Sequence, residues 1–172
     1  MPMRTRLLLL LVVLVPCIAC DQASKALAVT HLKGAPALSL ELAPLLARLV
    51  YAENPGAFLG LGRALPEGLR VAVLAVGVAL MLAALTAALL WRETTRPITL
   101  GLALLIAGGA GNLIDRVARP GGRVVDFAQL GVQLGPLDLR TGVFNVADLA
   151  IVAGALMLAL VTLRRRRAQR HS

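Results

Sequence analysis

Apolar residues fall in four long blocks along the chain, and polar residues gather between them. The first block covers residues about 7–28, although Asp21 and Lys25 interrupt its end. The second, LRVAVLAVGVALMLAALTAALLW, covers 69–91. The third, PITLGLALLIAGGAGNLIDR, covers 97–116 and opens on Pro97, a residue suited to a first helical turn. The fourth covers residues about 143–163. About 20 apolar residues cross a bilayer as a helix, so each block predicts a membrane span. The longer connections, roughly 29–68 and 117–142, carry short apolar stretches broken by Gly and Pro. Short strands or an interfacial element fit the first connection. A turn, then a strand or surface helix, then a second turn fit the other. No internal repeat or linker divides the chain, so residues 1–172 are expected to form one membrane domain.

Composition supports the membrane class: 58% of the 172 residues are hydrophobic and only 16% are charged. A soluble domain would be about half apolar and about a quarter charged. The net charge of +9 would suggest nucleic acid in a soluble protein, but much of it lies in the tail RRRRAQR, 164–170, directly after an apolar block. A membrane anchor explains that placement better, and no nucleic-acid partner is expected. Arginine is also dense at Arg4 and Arg6 and in the 92–96 loop, at Arg92 and Arg96. Four spans put these three segments on one side, which the arginines mark as cytoplasmic. Both termini then face the cytoplasm, and the two longer connections lie outside.

The N-terminus, with its basic start and Cys20, is similar to a lipoprotein signal peptide. Three further spans follow, so it is read as the first transmembrane helix. Cys17 and Cys20 lack a third or fourth soft ligand for zinc, and their helical spacing does not suit a relaxed disulfide. They read as packing residues, and no metal or cofactor is expected.

The unusual polar residues converge on one level. Asp21 and Lys25 share a helix face at the outer end of the first span. Asn54 lies in the first outer connection, and Asn112, Asp115 and Arg116 end the third span. Asp126 lies in the second outer connection. Asn145 and Asp148 begin the fourth span, with Asp148 on the order of 8 Å below its outer end. A charge within a span is costly and therefore a functional candidate. His31, read as a loop residue, and His171 in the tail stand apart from this group, so no Ser–His–Asp or Cys–His set can be assembled. A carboxylate pair remains: one member ionised to take a proton from water, the other protonated to polarise a carbonyl. Asp126 and Asp148 are the candidates. Structural readings stand beside this one: an ion pair for Asp21 with Lys25, a helix-end charge for Asp115 beside Arg116, a turn residue for Asn54, and close helix packing for Gly108 and Gly109.

Five motifs, in order, resemble lipoprotein signal peptidase, the type II signal peptidase of bacteria. They are DQASK at 21–25, ENPGAFLG at 53–60, GGAGNLIDR at 108–116, VVDF at 124–127 and FNVAD at 144–148. The resemblance implies an aspartic endopeptidase of the inner membrane. It would remove signal peptides from diacylglyceryl-modified prolipoproteins by cutting before the lipidated cysteine. It implies Asp126 and Asp148 as the catalytic dyad, near the outer face. Asn54, Gly56, Asn112, Arg116 and Asn145 would bind substrate, and Asp21, Lys25 and Asp115 would support the site. A small extracytoplasmic β-rich cradle between the first two of four transmembrane helices, spanning residues about 30–65, is implied in an otherwise all-α protein. So are contact with membrane lipid, inhibition by globomycin-type cyclic peptides, and action as a monomer. The register of the 53–60 loop departs from the family pattern, and residues 128–143 lack its aromatics and suggest a different gating surface. The alternative is a small four-span transporter or channel subunit with an outer carboxylate site. That reading needs polar groups through the whole membrane depth, and the 69–91 block is nearly free of them apart from Thr86.

Overall fold

The computed structural model of the chain describes residues 1–56 and 64–170. Four helices carry the apolar blocks: α1 (Met3–Leu32), α2 (Glu67–Trp91), α3 (Arg96–Ala118) and α4 (Val146–Arg170). Each is long and apolar enough to cross a membrane. Four strands, β1 (Leu38–Leu42), β2 (Leu45–Asn54), β3 (Val124–Leu134) and β4 (Leu137–Arg140), form one antiparallel sheet in the order β1-β2-β3-β4. Four spans with a small β element are therefore present, as the sequence predicts. The sheet is larger than expected, because β3 and β4 come from the connection between α3 and α4. There the sequence leaves strand and surface helix open.

Two boundaries differ from the sequence reading. α1 runs past Ala28 to Leu32, so His31 lies in its last turn rather than in a loop. α4 starts at Val146, while Phe144 pairs with Ala128 of β3. Asp148 consequently sits in the first turn of α4, about 3 Å along the axis from its start. His171 lies outside the described residues.

The chain forms two compact units. The first comprises Met1–Cys20, Gly77–Leu113 and Val146–Ser172. Leu10, Leu89, Ala103 and Ile106 form its core, with Val13, Leu14 and Leu85 packed around them. Close approach depends on small residues: a Cβ on Gly108 would overlap the carbonyl oxygen of Ala147 and lie 2.8 Å from Ile151 Cγ1. A Cβ on Gly109 would lie 2.6 Å from Leu82 Cδ2. Arg6 is buried in this unit. Its Nη1 donates to the carbonyls of Leu89, at 3.0 Å, and of Arg92. It thus covers orphan carbonyls at the C-terminal end of α2, where the helix dipole favours a cation.

The second unit comprises Asp21–Val76 and Ile114–Asn145 and holds the sheet. Strand register puts Leu38, Leu40 and Leu42 beside Leu45 and Leu49, and these on one face with Leu130, Leu134, Leu137 and Leu139. Every one of these nine leucines is at least 41% exposed. The opposite face carries Ser39, Glu41, Arg48, Gln129, Gln133, Asp138 and Arg140. The sheet therefore has one leucine face and one mostly polar face, where Leu46 is buried. A single 3-10 turn at Pro120–Gly122 links α3 to β3. Gly122 has φ 60, and a Cβ there would lie 2.9 Å from Val71 Cγ2. Glycine meets both demands.

Candidate active site

Asp126 lies on β3 and is buried. β2 pairs with β3 so that Ala52 faces Asp126 and Asn54 faces Val124. From there Asn54 Nδ2 donates to Asp126 Oδ2 at 3.1 Å. On the other edge of β3, Phe144 bridges Ala128, so the next residue, Asn145, reaches the same carboxylate. Asn145 Nδ2 donates to Asp126 Oδ1 at 2.6 Å and to the Val125 carbonyl at 3.3 Å. Each oxygen of Asp126 thus accepts from a different asparagine amide.

Asn54 is itself held by a turn. Its Oδ1 accepts from Gly56 N at 3.1 Å, as Asx turns do. Arg116 Nη2 donates to the Gly56 carbonyl at 2.7 Å. Arg116 therefore meets the chain's own backbone. The rest of ENPGAFLG, 57–60, lies outside the described residues.

Asp21, Lys25 and Asp115 form a second, fully buried group. Lys25 Nζ lies 2.8 Å from Asp21 and 3.1 Å from Asp115. The fourfold spacing on α1 makes the first contact natural. Asp115 also meets Arg119 Nε at 3.2 Å, one helical turn on. Its Oδ2 accepts from Val125 N at 3.1 Å, one residue before Asp126. Gln22 adds amide contacts to Asp21 at 3.1 Å and Asp115 at 3.5 Å. Two carboxylates thus face one ammonium and one guanidinium, the kind of balance buried charge demands. The sequence reading missed Arg119, although its spacing from Asp115 could have revealed it.

In the first unit, Asn112 Nδ2 donates to Asp148 Oδ1 at 2.9 Å, linking α3 to α4. Asp148 is half-buried.

Beside Asn54, Glu53 anchors an exposed cluster that sequence reasoning also missed. Tyr51 Oη donates to it at 2.7 Å, Arg123 lies at 3.2 Å and Lys33 at 3.6 Å. The Tyr51 hydrogen bond, helped by the Arg123 and Lys33 charges, holds the Glu53 carboxyl below its ordinary value. Burial, with the Glu53 contact, pushes Tyr51 up to about 12. These side chains line a cleft of about 380 Å³ with Glu67 and Arg119.

A family model described as Signal peptidase (SPase) II matches residues 13–164. The chain belongs to the signal peptidase II family. A lipoprotein signal peptidase of Chlorobium phaeobacteroides is 39% identical over 147 residues, 83% of each chain. One from Beijerinckia indica is 34% identical over 144 residues, 84% of this chain and 81% of its own. A bacterial membrane enzyme solved by the in meso method at 2.3 Å aligns with a TM-score of 0.70 and 24% identity. That likeness covers 90% of this chain and 87% of the other, and it bears on the fold. The family makes the chain a lipoprotein-processing peptidase and a bacterial membrane protein. The transporter alternative gives way to it. The motifs DQASK, GGAGNLIDR, VVDF and FNVAD all lie inside the matched residues.

Proposed function

We propose that the chain is an aspartic endopeptidase that removes signal peptides from diacylglyceryl-modified prolipoproteins, cutting before the lipidated cysteine. One observation carries this reading: asparagine amides hold both candidate aspartates, Asn54 and Asn145 on Asp126 and Asn112 on Asp148. Amides orient a carboxylate without bringing a charge to it, which suits a group that must gain and lose a proton. Asn145, which holds Asp126, precedes Asp148 by three residues in the chain. The name of the curated relatives supplies the substrate class.

In this mechanism the ionised member of the pair takes a proton from water as the water attacks the scissile carbonyl. The protonated member hydrogen-bonds the carbonyl oxygen. The leaving amine then receives a proton from the pair. Asn54, Gly56, Asn112, Arg116 and Asn145 frame the pocket for substrate and for globomycin-type cyclic peptides. The enzyme works as a monomer in the inner membrane, both termini cytoplasmic, with the dyad near the outer face. Arginine density at the termini and the 92–96 loop supports this sidedness.

The test is single-turnover cleavage of a diacylated prolipoprotein by purified Asp126→Asn, Asp148→Asn and the double variant. Each single change should lower the rate by about 10⁴-fold or more, and the double should be little worse, because such residues act as a unit. Substantial cleavage by either single variant overturns the dyad.

A further inference from the structure

We propose that Asp115 is a positioning residue for Asp126, acting through the backbone of Val125; this rests on the reading of Asp126 as catalytic. The Val125–Asp126 stretch is held at four points. Val125 N donates to Asp115, and Val125 O accepts from Asn145. The two Asp126 oxygens accept from Asn145 and Asn54. A peptide unit is planar, so pinning the N–H and the C=O of Val125 pins two successive peptide planes before the Asp126 side chain departs. Val125 is itself fully buried, so water offers its N–H no ready replacement partner.

Asp115 can serve as this anchor because it is anchored in turn. Lys25 approaches it from α1, and Arg119 from the residue just past the end of α3. Its Oδ2 is shared between Lys25 Nζ and Val125 N, each at 3.1 Å, and its Oδ1 lies 3.2 Å from Arg119 Nε. Both oxygens are engaged, so Asp115 holds the strand rather than working as a third acid or base. The charged group of α1 and α3 thereby transmits its rigidity to β3 by one hydrogen bond. Asp21 belongs to the same ion group through Lys25 and accepts from Gln22, whereas the Val125 N–H donates to Asp115. Loss of Asp21 should weaken folding without releasing Val125. Loss of Asp115 should do both.

That difference is the experiment. Full-length Asp21→Asn, Asp115→Asn, Asp115→Ala and Asp126→Asn are purified in detergent and their folded fractions measured. kcat and KM on a diacylated prolipoprotein are then expressed per folded molecule. Asp115→Ala should lose about 100-fold in kcat with KM nearly unchanged, the scale expected when a reacting group shifts by about 1 Å. Asp115→Asn keeps an oxygen that can accept from Val125 N and should recover part of that loss. Asp21→Asn should lower the folded fraction yet keep kcat within about threefold. Equal kcat losses in Asp21→Asn and Asp115→Ala, or normal kcat in Asp115→Ala, would overturn the positioning role. If Asp115→Ala does not fold, hydrogen exchange of residues 124–127 decides between the two Asn variants. Faster exchange confined to Asp115→Asn supports the role, and equal exchange in both overturns it. Turnover by Asp126→Asn would instead sink the catalytic reading of Asp126, so the two failures are distinct.

Discussion

The two units of this chain differ in the balance of what they bury. In the first, the packed residues are Leu10, Leu89, Ala103 and Ile106. In the second, Lys25, Asp21, Asp115 and Asn145 are among the largest fully buried side chains. The difference follows from what each unit has to fix. A spanning helix satisfies its own backbone, and lipid is as apolar as leucine, so helices gain from fit rather than from burial. Glycine at 108 lets α3 approach Ala147 and Ile151 of α4. A strand carrying an aspartate must be fixed in orientation as well as in place. Apolar contact is non-directional, whereas hydrogen bonds and ion pairs have direction.

The same contrast separates two aspartates eleven positions apart. Asp115 receives an ammonium and a guanidinium, while Asp126 receives the amides of Asn54 and Asn145. Cations build an anchor, and amides present a reagent.

The contrast can be broken most severely at Lys25. Lys25→Ala leaves Asp21 and Asp115 without the ammonium between them, an expected loss of about 3–5 kcal/mol. Folded yield and thermal unfolding in detergent measure it. An ordinary surface-sized loss would mean that the ion group is incidental to the fold.

Gly108→Val tests the other unit. Overpacking against Ala147 and Ile151 should cost about 1–3 kcal/mol. Ala147 directly precedes Asp148, so turnover should fall too, by roughly tenfold or more. Thermal unfolding and steady-state cleavage on the same preparation check both effects. An unchanged protein would show that α4 has room to shift.

The smallest effect belongs to Glu53. Its folded value is lowered, so its contribution is present above the ordinary carboxyl range and is lost as pH falls through the lowered value. Glu53→Gln should flatten that acid limb of the stability curve by about 0.5 kcal/mol, the scale of an exposed pair. Tyr51, pushed up to about 12, stays a donor throughout. An acid limb identical in the two proteins would remove the cluster from the account.

The four spans were legible in the sequence because about 20 apolar residues have few other stable fates. The family was legible because the five motifs stand in order. Asp21 with Lys25 was legible as a pair, since fourfold spacing on a helix is local geometry. Tertiary structure alone decided the rest. The sheet's second half was hidden because a short apolar stretch reads equally as strand or surface helix until a partner strand pairs with it. Register then gathered leucines from four strands onto one face. The start of α4 moved because Phe144 found Ala128, and that long-range pairing brings Asn145 to Asp126. The pairing of Lys25 with Asp115 has the same origin. Arg119 reaches Asp115 by local helical spacing, whereas the ammonium arrives from a residue ninety positions away, which only tertiary packing can bring.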